Sequence, residues 1–176
     1  MPILKIFKLC TFIYSIILLQ VTGGSSGIGK QVAIIAASKG ANVAIIARNL
    51  KKLEEAKAEI LKAHKYGEKQ KVEIVSLDIG SNYSEVERVI DELEEKIGPI
   101  YMLVNCAGTA ICGKIEDTSI ETLKQLNDVN FMATYYCTKA VVPKMKREKN
   151  GKIVLTSSQA GLCGNIFKLV LMLFDI

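Results

Sequence analysis

The chain is poor in the residues that mark several common functions. It has no tryptophan and a single histidine, His64, so a histidine-built metal centre is excluded and no metal is expected. His64 lies in a polar stretch that closes a helix-like pattern and reads as a surface residue. The five cysteines (Cys10, Cys106, Cys112, Cys137, Cys163) are odd in number and include no Cys-x-x-Cys pair, which argues for reduced thiols facing a cytosol. A membrane-spanning helix wants roughly 20 apolar residues. The mostly apolar run from Leu9 to Val21, preceded by Lys5 and Lys8, is shorter, and it must also supply the first strand. It has no small-residue cleavage site before the glycine-rich motif that follows, so a signal peptide is not expected. Residues 1–15 are instead expected to be the remnant of a membrane anchor. The net charge of +5 comes from scattered lysines, with a cluster at Lys144, Lys146, Arg147 and Lys149. No nucleic-acid reading motif or stacking platform accompanies it, so nucleic acid is not an expected partner. The cluster reads as a solvated helix end beside a membrane face.

What is present points elsewhere. At 176 residues, 49% of them hydrophobic, the chain is long enough for one domain with a real core. An apolar run from Ile16 leads into Val21-Thr22-Gly23-Gly24-Ser25-Ser26-Gly27-Ile28-Gly29, and a helical pattern from Lys30 to Ser38 leads out. Strand, glycine-rich turn and helix in that order make a dinucleotide site. Gly23 permits the tight turn, Gly27 a close approach of backbone to pyrophosphate, and Gly29 the packing of helix on strand. The first N–H groups of the helix then face the phosphates. Gly24 to Lys30 also fits the start of a P-loop, but the Ser or Thr that should ligate Mg²⁺ there is Gln31.

Downstream, apolar runs and amphipathic stretches alternate. Residues 42–47 are a buried-strand run ending in Arg48, at the place where Asp or Glu would hold the 2′-hydroxyl of NAD and where Arg suits the 2′-phosphate of NADP. Asn49 can cap a helix that ends near Gly67. Val72 to Leu77 is a third strand, closed by Asp78, and Ser84-x-x-Glu87 reads as a capping box. The next helix ends at Gly98-Pro99, and Ile100 to Val104 runs as a fourth strand into Asn105-Cys106-Ala107-Gly108. Two helical stretches follow, from Ser119 to Val129 and from Phe131 to Arg147, with a break or kink expected at Pro143. Lys152 to Thr156 is a fifth strand, ending in Ser157-Ser158. This alternation predicts an α/β fold, a Rossmann-like doubly wound parallel sheet, with ligands bound beyond the strand C-termini. Residues 16–164 would form that domain, and 165–176 a divergent apolar tail.

With those residues in order, the chain resembles the short-chain dehydrogenase/reductase family from about Val21 to Gly161. The resemblance rests on Thr22-Gly23-x-x-x-Gly27-x-Gly29, Asp78, Asn105-x-Ala107-Gly108, Asn130 and Ser158. Within the family, the stretches 21–30, 47–49, 102–108 and 157–161 look most like the branch that reduces a sphingoid ketone with NADPH at the cytosolic face of the endoplasmic-reticulum membrane. The resemblance implies that Thr22, Gly23, Ser25, Ser26, Gly27, Ile28 and Gly29 hold NADPH, with Ser26 and Arg48 at the 2′-phosphate. It implies that Asp78 bonds the adenine amino group and that Asn105, Ala107 and Gly108 line the wall near the ribose. Asn130 would hold a proton-relay water and Ser158 would bond the substrate carbonyl. A homo-oligomer and membrane association are expected from the same resemblance.

The family's general acid is a Tyr, followed four residues later by a Lys. Counting the usual spacing from Ser158 reaches Leu171 and Asp175 instead, and no Tyr follows Tyr136. The expectation is a C-terminally truncated member, ending after its fifth strand, with a doubtful activity of its own. Its open apolar sheet edge is expected to aggregate or to bind membrane.

Overall fold

The apolar runs become parallel strands, and the amphipathic stretches between them become helices, in a computed structural model that describes residues 18–66, 69–111 and 114–158. The order is β1 (Leu18–Thr22), α1 (Gly27–Ser38), β2 (Asn42–Ala47), α2 (Leu50–Lys62), β3 (Val72–Ser76), α3 (Tyr83–Ile97) and β4 (Ile100–Asn105). A 3₁₀ turn (Ile115–Asp117), α4 (Ile120–Asn127), a π-helical turn (Asp128–Met132), α5 (Ala133–Arg147) and β5 (Lys152–Leu155) follow. The sheet runs β3-β2-β1-β4-β5, parallel throughout. The chain moves outward from β1 to β3 and then crosses back to β4. This is the expected doubly wound arrangement, and its reversal between β1 and β4 opens a crevice at the strand C-termini.

Side chains alternate across the strands, so each face buries its own core. Leu19, Val21, Val43 and Ile45 meet Val32, Ala33 and Ala36 of α1 and Leu53, Ala56 and Ile60 of α2. Leu18, Ala44, Ile46 and Leu103 meet Val86, Val89, Ile90 and Leu93 of α3 and Ala133, Cys137, Ala140 and Val141 of α5. Small residues on α1 and α5 let those helices lie close to the sheet. Burial pushes the Cys137 thiol up to about 12, so it stays a neutral thiol. Gln20 breaks the pattern. It is fully buried on the central strand, and neither its amide oxygen nor its amide nitrogen has a hydrogen-bond partner among the described residues.

Several local expectations are corrected. The N-cap of α3 is Asn82, whose Oδ1 accepts from the Ser84 and Glu85 N–H groups, so Ser84 lies inside the helix. Glu87 accepts from the Tyr83 hydroxyl instead of closing a capping box. Asn49 does cap α2, through the Lys52 N–H, but that helix stops at Lys62, well before Gly67. The gap expected between two helices near Asn130 is filled by the π turn, and Pro143 sits inside α5 without ending it. His64 is half-buried rather than on the surface. Lys144 leaves the solvated cluster to pair with Asp91 and, at 2.7 Å, with Glu94, joining α5 to α3. The segments assigned to an anchor remnant (1–15) and an apolar tail (165–176) lie outside the described residues. Among the described residues β5 is an edge strand, with Leu155 62% exposed.

Gln20 makes the sheet less stable than its apolar pattern allows. A buried amide without partners costs about 1–3 kcal/mol, so Gln20→Met, which keeps nearly the same volume, should stabilise the chain by that order. For a domain of this size the melting temperature should rise by roughly 2–4 °C per kcal/mol. A melt showing Gln20→Met at or below the parent would mean that the amide is satisfied in solution.

Candidate functional site

The site begins at a tight turn. Gly23 follows β1 with φ +66°, a left-handed conformation that glycine adopts without strain, and its N–H donates to the Ile46 carbonyl at 2.9 Å. A side chain there would come within 2.9 Å of the Ala107 backbone. Thr22 fixes that approach. Its Oγ1 accepts from the N–H groups of both Cys106 and Ala107, each at 3.1 Å, and so ties the end of β1 to the loop after β4. At Gly29 a Cβ would lie 2.6 Å from the Gly23 carbonyl oxygen, so the helix packs directly on the turn.

Beyond the turn, the first N–H groups of α1 are left for an acceptor. Ser26 precedes the helix in extended backbone, its side chain makes no capping hydrogen bond, and the first turn holds no acidic residue. Gly27 has φ +54°, and a Cβ on it would meet nothing within 4 Å, so the backbone there faces open space.

That space is a cleft of about 410 Å³ at the C-terminal ends of β1 to β4. The structure brings to it Gly23, Ser25, Ser26, Gly27, Ile28 and Gly29 from the turn, Arg48 from the end of β2, Asp78 after β3, and Ala107 and Gly108 after β4. Asp78 Oδ1 accepts from the Gly80 N–H at 3.1 Å, which shapes the loop into α3. Thr22 serves from behind, through the two amides it holds. Asn105 does not line the cleft: it is buried, its Nδ2 lies 3.4 Å from Thr138 Oγ1, and its Oδ1 has no partner among the described residues. Asn130 does not line it either. Its Oδ1 accepts from the Thr109 N–H at 2.8 Å and its Nδ2 donates to the Thr109 carbonyl at 2.9 Å, so it clamps the loop that forms one wall. Ser158 is exposed three residues past β5, at the same end of the sheet.

The family model for short chain dehydrogenase matches residues 18–170. The chain belongs to the short-chain dehydrogenase family. It is 46% identical over 144 residues to a 3-ketodihydrosphingosine reductase of Bos taurus, an overlap of 82% of this chain and 43% of that protein. With a 3-dehydrosphinganine reductase of Danio rerio it shares 44% identity over the same shares of each chain. The chain thus spans less than half the length of these relatives. Among solved structures, a short chain dehydrogenase of Bacillus anthracis superimposes with a TM-score of 0.83 at 26% identity, covering 92% of this chain and 63% of that one.

A short-chain dehydrogenase of Rossmann-like fold binds a nicotinamide dinucleotide, and the residues present fit one. The open face at Gly27 and the uncapped helix N-terminus suit a pyrophosphate. Sequence reading missed Lys52, Ile79 and Val129, which also line the cleft. Lys52 could have been found, because it lies four residues past Arg48 and Asn49 starts a helix between them. Val129 could not, since it is delivered by the π turn. Cys106 lines the cleft as well, with Sγ 3.2 Å from Thr156 Oγ1, and burial pushes its thiol up against that hydrogen bond.

Thr22 carries the junction, so its loss should be felt in both stability and binding. Thr22→Val keeps the shape but strands two backbone N–H groups, at a cost of about 1–3 kcal/mol. It should lower the melting temperature and weaken dinucleotide binding, whereas Thr22→Ser should preserve both. Parent-like melting and affinity in Thr22→Val would show that the two amides find other acceptors.

Proposed function

We propose that these residues are the cofactor-binding part of an NADPH-dependent reductase that converts the ketone of 3-ketodihydrosphingosine to the alcohol of dihydrosphingosine. The observation that carries the cofactor choice is the end of β2. Arg48 and Lys52 bring two cations to the cleft, Ser26 adds a hydroxyl, and no carboxylate stands where the 2′-hydroxyl of NAD would need one. The substrate is supported by the names of the Bos taurus and Danio rerio relatives.

Ketone reduction adds a hydride at carbon and a proton at oxygen. The dinucleotide supplies the hydride when bound. Ser25 and the α1 N–H groups would hold its pyrophosphate, Ser26, Arg48 and Lys52 the 2′-phosphate, and Asp78 the adenine amino group. Ser158 would hydrogen-bond the ketone oxygen. Asn130 keeps the wall in place by holding Thr109, the role its two hydrogen bonds support. A second reading, dinucleotide binding by these residues without turnover of their own, is favoured by one sequence fact: Leu171 and Asp175 stand at the spacing of the family's Tyr and Lys.

Two measurements test these readings. In equilibrium titrations NADPH should bind more than about tenfold tighter than NADH, because a charge-assisted hydrogen bond is worth about 1.5–3 kcal/mol. Arg48→Asp should abolish or reverse that preference, and Lys52→Ala should reduce it. Equal affinities in the parent would remove the 2′-phosphate assignment. For catalysis, a missing general acid costs about 10²–10⁴-fold, so residues 1–176 alone should show no NADPH-dependent formation of dihydrosphingosine. A chimera carrying a family C-terminal half with Tyr-x-x-x-Lys after Gly161 should form it. Robust product formation by the 176-residue chain would mean that another group delivers the proton.

A further inference from the structure

Arg48 and Lys52, the two cations of the cleft, pair with no carboxylate among the described residues, so backbone geometry has to place them. The β2–β3 ladder pairs Val43 to Ala47 with Val72 to Ser76, and the Leu77 N–H extends it by donating to the Ala47 carbonyl at 3.0 Å. Successive carbonyls of a strand point to opposite neighbours. The Ile46 carbonyl accepts from the Gly23 N–H on the β1 side, and the Ala47 carbonyl faces β3. A regular continuation would return the Arg48 carbonyl to the β1 side. It turns to β3 instead, where the Ser76 hydroxyl donates to it at 2.9 Å.

The next peptide begins α2. Asn49, the N-cap, lies in extended backbone, and its Oδ1 accepts from the Lys52 N–H at 3.0 Å. Its carbonyl accepts from the Leu53 N–H at 3.1 Å, and the Leu53 side chain is fully buried in the core. The stretch from Arg48 to Lys52 is thus held at both ends, by β3 at its start and by the cap at its finish. Ser76 itself is exposed and is absent from the lining of the cleft. Valine would suit the end of a strand at least as well, so the fold alone does not call for a hydroxyl there. What the hydroxyl touches is Arg48.

We propose that Ser76 is a positioning residue for the choice of dinucleotide: by holding the Arg48 carbonyl it sets Arg48 and, through the Asn49 cap, Lys52, so that both cations converge on a 2′-phosphate. This role rests on the assignment of Arg48 and Lys52 to that phosphate. A guanidinium gains most from a phosphate in a narrow geometry, because its donors form a rigid fork. NADH shares the other groups of NADPH but lacks the 2′-phosphate. Release of the Arg48 carbonyl therefore weakens NADPH selectively.

Equilibrium titration of the full 176-residue chain with NADPH and with NADH tests this. Ser76→Ala and Ser76→Val should each lower the NADPH affinity about two- to tenfold, the worth of one hydrogen bond, and leave the NADH affinity unchanged. Ser76→Thr, which keeps the hydroxyl, should retain the parent ratio of affinities. In a background of Arg48→Ala with Lys52→Ala, the Ser76→Ala change should leave the ratio as it is, because no cation remains to be placed. A parent that binds both dinucleotides equally removes the 2′-phosphate assignment and this role with it. Where the parent prefers NADPH, an unchanged ratio in Ser76→Ala and Ser76→Val overturns the role of Ser76 alone. An equal loss of both dinucleotides also overturns it, since the hydroxyl would then only support the fold. A loss of NADPH affinity that persists without Arg48 and Lys52 does the same.

Discussion

Two backbone N–H groups converge on one side-chain oxygen, Thr22 Oγ1, and the cleft depends on that meeting. The parallel sheet alone sets β1 beside β4, but it does not decide how closely the turn after one approaches the loop after the other. The threonine does, with a hydroxyl that takes two donors, and Gly23 removes the side chain that would have kept Ala107 away. The arms of the chain that diverge from the β1–β4 boundary are thereby closed at their root. Gly29 transmits the same constraint to α1, because its missing Cβ lets the helix rest on the Gly23 carbonyl.

The electrostatics of the molecule follow from the same parallel topology. The helices that cross between strands, α1, α2, α3 and α5, run antiparallel to them, so their N-termini collect at the cleft end and their C-termini at the other. At the cleft the partial positive charge of α1 is left uncapped and joined by Arg48 and Lys52, which makes that end a receptor for phosphate. At the opposite end lysines near the helix termini meet the partial negative charge there, as Lys71 does through the Lys96 carbonyl at the end of α3.

Legibility in the sequence tracked the range of the interaction involved. The glycine-rich turn and its helix were plain, because glycine spacing and apolar periodicity are local signals. The doubly wound parallel sheet, with its site beyond the strand C-termini, followed from alternation, and the roles of Asp78, Ala107 and Gly108 came with the family resemblance, whereas the order β3-β2-β1-β4-β5 is seen only in the folded chain. Competing local signals were harder to rank. Ser84-x-x-Glu87 matched a capping pattern, yet Asn82, two residues earlier, holds two of the helix N–H groups with one oxygen. Lys144 looked like part of a basic run until α3 supplied Asp91 and Glu94, partners distant in sequence. Gln20 was hidden for the opposite reason. A lone polar residue in an apolar strand carries no periodic signal of its own, and only the packed sheet shows that its amide is left without partners.

The π turn at Asp128–Met132 is the element that no local pattern announced, and its position explains why it is there. An extra residue in a helical turn rotates everything beyond it by about 100°. Upstream, α4 buries only Leu126, while downstream α5 buries Ala133, Cys137, Ala140, Val141 and Met145 against the sheet. Between them, the turn must serve two neighbours that a regular helix would not meet together. Asp128 presents its carbonyl so close to Gly80 that a Cβ there would lie 2.4 Å from it, and Asn130 turns its amide onto Thr109. Gly80 belongs to the loop after β3 and Thr109 to the loop after β4, so the turn bridges two walls of the cleft. Regular helical hydrogen bonding is given up over one turn, and in exchange the loops around the dinucleotide are held by side chain and backbone rather than left to their own conformations.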